Sequence, residues 1–190
     1  METPIKLSSL PLIGLMGQWW IKFYQMMLGV GGWLSDEPAY EIDTPDHRRI
    51  VVEEGEFRLI DEWRMGEDQV VGTCYLFHGK TLTISGWYKG SIVGPEYTDL
   101  LKRALRARYQ GQADDVGLFR GPTLFESEGD GKMYYSNEHE WATNPLGSGW
   151  NSHDRYRCDF GEEAICFPGT EENPWHRVVA RNTYIVRVGE

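Results

Sequence analysis

The sequence predicts a mainly β protein, an antiparallel, calycin-like β-barrel or a sandwich of about eight strands, with an N-terminal helix and one central helix. Three observations lead to this prediction. Between residues 50 and 188, short segments that alternate apolar and polar residues follow one another, a pattern typical of half-buried strands. Turns of about two to four residues join the first segments, as in an antiparallel meander. Eight Trp and ten Tyr are spread along the chain, and strands are enriched in large rings.

The length of 190 residues predicts one domain, 1–190, in which 50–188 form the barrel. A barrel leaves no strand edge exposed, and eight strands enclose room for side chains or one small ligand. Residues 35–48 are rich in Pro and Asp and predict a loop with a short extended piece. The predicted strands are 50–53, 56–65, 70–78, 81–89, 123–128, 132–141, 153–160, 163–167 and 175–188.

The central helix is predicted at 95–110, because Pro95 suits a first helical position and the following leucines and alanines share one side. The N-terminal segment 10–34 is apolar, with Lys22 as its single charged residue. Gly and Gln interrupt it, which disfavours a signal peptide and a membrane span. Two interpretations of a helix at 18–28 stay open. It packs against the sheet, or it is a lid over the barrel, hinged at the glycines of 29–32.

Charge and cysteine content exclude several classes of function. The net charge is −10 and no long basic run is present, whereas a nucleic-acid surface needs concentrated positive charge. Three cysteines without a CxxC spacing predict no disulfide framework and a reducing, cytoplasmic location. Cys158 and Cys166 facing each other across a hairpin is a weaker alternative.

The usual motifs of metal, nucleotide and nucleophile chemistry are missing from the sequence. No two histidines are spaced as HxH or HxxxH, and no cysteine stands near them in a ligand pattern. The glycines of 29–32 lack the strand, helix and Lys of a nucleotide loop, and no GxSxG elbow occurs. We therefore expect neither a bound metal nor a cofactor.

Polar residues on two otherwise apolar strand faces indicate the functional site. In 133–141, one face carries Met133, Tyr135, Asn137, His139 and Trp141. In 56–65, Asp61 interrupts an apolar face in the same way. Buried polar groups cost free energy unless they are paired or line a cavity. The pattern therefore predicts a partly polar interior that takes a small hydrophobic molecule.

General acid–base catalysis is the chemistry that these residues favour, with Asp61 and His139 as the candidate catalytic pair. The alternative is a structural pair in which the two side chains satisfy each other across strands. The residues expected to shape the cavity or bind the substrate are Trp19, Trp20, Trp63, Tyr75, Tyr88, Tyr135, Asn137, Trp141 and Tyr184.

Over roughly residues 50–190, the chain resembles a bacterial β-rich domain family of unknown function that is often found downstream of a helix-turn-helix in regulator-like proteins. The residues that carry the likeness are Gly55-Glu56-Phe57, the Gly-Trp-Tyr-Lys-Gly run at 86–90, Phe119-Arg120-Gly121-Pro122 and Phe160-Gly161-Glu162-Glu163-Ala164-Ile165. The resemblance implies a single β-rich module and no catalytic residue. At its start, this chain has a hydrophobic segment in place of the DNA-binding helices.

The predicted architecture, a barrel capped by an N-terminal helix, is also similar to that of small polyketide cyclases, which fold a flexible substrate in an aromatic cavity without a cofactor. This likeness favours a cofactor-independent cyclase or isomerase. A non-catalytic binding or sensing module with the same cavity is the second hypothesis. The third is an interaction protein that docks through 10–34, and a homodimer is left open.

Overall fold

The computed structural model describes residues 15–29, 31–91, 95–110, 124–126, 133–143, 156–168 and 177–189. At 139–143 and 156–160 it describes the backbone alone. The helices are α1 (Leu15–Gly29) and α2 (Pro95–Tyr109). The strands are β1 (Tyr40–Asp43), β2 (His47–Glu54), β3 (Phe57–Met65), β4 (Val70–His78), β5 (Thr81–Ser91), β6 (Leu124–Glu126), β7 (Tyr134–Thr143), β8 (Tyr156–Phe167) and β9 (Arg177–Gly189).

All nine strands belong to one antiparallel sheet, in the order β1-β2-β3-β4-β5-β9-β8-β7-β6. Two meanders, β1–β5 and β6–β9, meet where β5 pairs with β9. The prediction of a mainly β, antiparallel protein with two helices is confirmed. In the described part of the chain, β1 and β6 are edges and the sheet is not closed, so the calycin-like barrel and the sandwich remain predictions.

The C-terminal half differs from the prediction at one point. Residues 153–160 and 163–167 were expected as two strands, but a single strand, β8, runs through Gly161 and Glu162. Gly161 pairs with His139 on one side and Tyr184 on the other, so it lies inside the sheet and not in a turn. Cys158 and Cys166 consequently lie on the same strand and cannot face each other across a hairpin, and Cys166 is a free thiol.

Both helices bury one side in the core. In α1, Trp20, Phe23, Tyr24 and Met26 are almost completely buried, which satisfies the packing interpretation of this helix. In α2 the buried residues include Leu100, Leu101, Ala104 and Leu105, at the spacing of one helical face. The rings of Tyr24 and Tyr109 stack at 4.3 Å and join the helices. Neither helix is long and apolar enough to cross a lipid bilayer.

Candidate functional site

A cavity of about 50 Å³ lies between the sheet and the two helices. A cavity needs at least about 10–15 Å³ to hold one water molecule, so this space is large enough for water. Of the lining side chains, only Trp33 and Tyr88 are partly exposed, and we call the side of the cavity beside them its mouth. The cavity is lined by Phe23, Met27, Trp33, Asp61, Trp63, Val70, Cys74, Tyr88, Leu101, Leu105, Tyr109 and Asn182.

Asp61 brings a carboxylate to the wall of this mostly apolar cavity. It lies on β3, is 5% exposed, and accepts a hydrogen bond of 3.1 Å from the Tyr88 hydroxyl. Tyr88 belongs to β5, two strands away, and reaches Asp61 because its ring lies across Gly72 on the intervening strand β4. A Cβ atom at position 72 would overlap that ring. Gly72 therefore permits the contact between the phenol and the carboxylate.

A second group of polar side chains is buried beside the first. Glu163 on β8 is 1% exposed and accepts hydrogen bonds from the Tyr135 hydroxyl at 2.9 Å and from the Asn182 amide at 3.0 Å. The Tyr184 hydroxyl donates to the Asn137 side-chain oxygen at 2.8 Å. A space of about 10 Å³, the size of one water molecule, lies against Glu163, Tyr135 and Asn182. Buried polar groups are thus paired with one another in this part of the core.

Asn182 connects the two groups, because it lines both the 50 Å³ cavity and the smaller space. Its amide nitrogen is bound to Glu163. Its side-chain oxygen is buried without a hydrogen-bond partner among the described residues. A buried acceptor left unpaired costs about 1–3 kcal/mol. A ligand donor or a water molecule in the cavity would remove that cost.

Two cations flank the mouth of the cavity. The Lys102 ammonium on α2 lies 5.0 Å from the centre of the Trp33 ring. Arg48 on β2 pairs in register with Trp63, so both face the same side of the sheet. Partial burial, followed by the positive charges of Arg106 and Arg48, lowers the pKa of Lys102 below its ordinary value. The negative charge of Asp99 opposes these two cations and is the smallest of the four contributions.

The structure brings together six of the residues predicted from the sequence. Asp61, Trp63 and Tyr88 line the cavity. Tyr135, Asn137 and Tyr184 belong to the neighbouring polar group. The backbone of His139 pairs with Gly161, which pairs in turn with Tyr184. The side chains of His139 and Trp141 lie outside the described residues.

Other predicted residues lie elsewhere. Trp19 packs its ring against Phe57 and His78 at the other end of β3 and β4, and Trp20 is buried in the core without lining the cavity. Tyr75 follows Cys74, which lines the cavity, so Tyr75 points to the opposite face of the sheet and contacts Phe77 there.

The strand order does not place Asp61 and His139 on neighbouring strands. β3 and β7 are separated by β4, β5, β9 and β8, which is about 24 Å along the sheet at the usual strand spacing. The two positions therefore do not face each other on neighbouring strands. The hydroxyl that binds Asp61 belongs to Tyr88.

Glu163 and Asn182 were missed in the sequence, although a signal for Asn182 exists. On β9 it interrupts the buried series Ala180, Tyr184, Val186 and Val188, as Asp61 does on β3. Glu163 was assigned to the first position of a separate short strand, where a charged residue is ordinarily exposed. In the part of the chain that the structure describes, no group of three or more His, Cys, Asp or Glu side chains is placed to hold a metal ion.

No known protein family, curated protein or solved structure matches this chain. Its function is therefore argued from the site alone.

Proposed function

We propose that this protein binds a small, mainly apolar organic molecule in the cavity between its sheet and its two helices. The observation that carries the proposal is the composition of the cavity wall. Apolar side chains from both helices, from Trp33 and from strands β3 and β4 surround one carboxylate, two phenols and one amide. A mostly apolar cavity with a few polar groups that fix orientation is typical of small-molecule sites.

The polar groups define what the ligand presents. The Asp61 carboxylate accepts hydrogen bonds, the Asn182 oxygen is an unpaired acceptor, and the Tyr88 hydroxyl can donate or accept. The wall therefore favours a molecule with at least one hydroxyl or amine hydrogen directed at the sheet. The helices would contact its apolar part through Phe23, Met27 and Leu105.

The size of the cavity limits the ligand. Its volume of about 50 Å³ is several-fold below the roughly 300–1,000 Å³ of pockets that hold drug-sized molecules. A ligand larger than a few heavy atoms must therefore displace part of the wall. Met27 is suited to yield, because its unbranched side chain adapts to irregular spaces. The lid interpretation of α1 is part of this proposal, because α1 contributes Phe23 and Met27 to the cavity wall.

Native mass spectrometry of the purified protein tests this proposal. We expect a bound small organic molecule on the wild-type chain and its loss in Cys74→Leu, which adds two heavy atoms to the cavity wall. Val71→Leu is the matched control, because Val71 is exposed on the opposite face of the same strand and the variant should retain the molecule. Equal retention by Cys74→Leu and the wild type would place the ligand outside the cavity.

A second candidate function, a cofactor-independent isomerase or cyclase, is favoured by the hydrogen bond between Asp61 and Tyr88. In an isomerisation, the Asp61 carboxylate would remove a proton from one carbon of the bound molecule and return it to another. Once Asp61 carries that proton, it can donate to the Tyr88 oxygen, and the Tyr88 hydroxyl hydrogen is then available to stabilise the charge that develops on a neighbouring substrate oxygen. His139 remains a predicted participant.

The catalytic candidate is tested on the molecule that native mass spectrometry identifies. Asp61→Asn keeps the shape of the side chain and removes its basicity, so we expect turnover to fall by about 100-fold or more. Tyr88→Phe should lower it by about 10-fold or more, since it removes the hydroxyl alone. His139→Gln is assayed alongside. If the wild-type protein releases the molecule chemically unchanged after incubation, the site binds it without catalysis.

A further inference from the structure

The mouth of the cavity carries a row of three aromatic rings with a cation at each end. Trp33 and Trp63 meet edge to face at 6.4 Å, and Trp63 meets Tyr40 at 6.1 Å. Lys102 lies over Trp33 at 5.0 Å, and Arg48 lies over Tyr40 at 5.6 Å. Two cations thus border a layer of three rings, and two of those rings line the cavity.

The two cations differ in what neutralises them. Arg48 forms an ion pair with Asp43 at 2.8 Å. Lys102 forms no ion pair among the described residues. Asp99, the nearest acidic residue on its helix, is bound to Arg103 at 3.0 Å, and its charge opposes those of Arg106 and Arg48 at Lys102. Arg106 is also near, and it is occupied by Asp36 and by two backbone carbonyls. Lys102 is therefore a partly buried ammonium whose counter-ion is not supplied by these residues.

We propose that the molecule bound in the cavity is an amphipathic acid, whose carboxylate lies between Lys102 and Arg48 at the mouth while its apolar part enters the cavity. This inference rests on the proposed function, since it assigns the ligand of the same cavity. Burial first, and then the charges of Arg106 and Arg48, lower the pKa of Lys102, and a bound anion would offset the charge repulsion.

A purely structural role for Lys102 is the competing explanation. A cation over the face of an indole contributes about 0.5–1 kcal/mol at an exposed site, which could account for its position over Trp33. The two explanations differ in one respect. A structural lysine affects all cavity ligands alike, whereas an anion-binding lysine distinguishes an acid from a neutral molecule of the same length.

Hexanoate and hexanol are a matched pair of probes for this distinction, because they share a six-carbon chain and differ in the charged group. Binding to the full chain is measured by saturation-transfer NMR titration. We expect hexanoate to bind the wild type more tightly than hexanol, and Lys102→Met to weaken hexanoate by about 10-fold, the loss of one charge-assisted hydrogen bond. Hexanol binding should stay within about twofold. Lys89→Met, at an exposed position of β5, should change neither.

The outcomes separate this inference from the function on which it rests. If hexanoate binds no more tightly than hexanol, or if Lys102→Met leaves hexanoate binding unchanged, the acid assignment is wrong. Hexanol binding that Cys74→Leu weakens would still support the cavity. If neither probe binds, or if Cys74→Leu affects neither, the proposed function itself fails. A similar loss of both probes in Lys102→Met would assign the lysine a structural role and overturn the inference.

Discussion

Replacing Gly90 with Ala is expected to lower the free energy of unfolding by about 3 kcal/mol or more, the upper range for an overpacked core. Gly90 lies on β5 opposite Asn182 on β9. A Cβ atom at this position would overlap the Asn182 side-chain oxygen and the backbone carbonyl oxygen of Arg181. Since part of the obstacle is backbone, the two strands must separate to admit the methyl group. They form the junction of the two meanders, so the damage falls at the centre of the sheet.

Urea denaturation of Gly90→Ala, of Asn182→Ala and of the double variant measures this effect. We expect the double variant to recover little of the stability lost in Gly90→Ala. Asn182→Ala removes the overlap with the side chain but leaves the overlap with the Arg181 carbonyl. Gly66→Ala is the control. A Cβ atom there would meet only the Gln69 carbonyl oxygen, at 3.8 Å, and the change should stay within about 0.5 kcal/mol. Wild-type stability in Gly90→Ala would show that β5 and β9 are further apart than the structure places them.

The strands could be predicted where the local alternation of apolar and polar residues was clear. The order in which the strands pair in the sheet could not. The alternation in 56–65 and 70–78 correctly indicates β3 and β4, because one face of each strand is buried and the other is not. At Gly161, a glycine inside a strand carries the same local signal as a glycine in a turn, so β8 was divided in two. The pairing of β5 with β9 joins positions about 100 residues apart, such as Gly86 with Val186. No local pattern contains that information.

The same contrast between local pattern and long-range pairing explains which site residues could be predicted. Asp61 and Asn137 were found because each is a polar residue on an apolar strand face, and both are buried in the structure. The arrangement of Asp61 relative to His139 depends on strand order, which local alternation does not contain, and their pairing stays a prediction. Glu163 was missed because the false strand end gave it a place at the surface. The false turn at Gly161 and Glu162 therefore concealed a carboxylate that accepts two buried hydrogen bonds.

Glu163 holds the polar group together, since its two carboxylate oxygens accept from donors on the two neighbouring strands. Tyr135 on β7 donates to one oxygen and Asn182 on β9 to the other. Both donors are buried, so neither can turn to solvent when the acceptor is removed. Removing the acceptor leaves the full desolvation cost of each donor, about 1–3 kcal/mol per group. Glu162, the residue before Glu163, is half exposed and forms an ion pair with Arg181.

We therefore expect Glu163→Ala to lower the free energy of unfolding by about 3–5 kcal/mol, because two donors lose their acceptor and a cavity is left. Glu163→Gln keeps the shape and one acceptor oxygen, but turns an NH₂ group toward the second donor, so we expect a loss of about 1–2 kcal/mol. Glu162→Ala should cost less than about 1 kcal/mol, as for a surface ion pair. Urea denaturation of the three variants gives the order. If Glu163→Ala and Glu162→Ala cost the same, the carboxylate at 163 is hydrated, and the polar group described here is not closed to solvent.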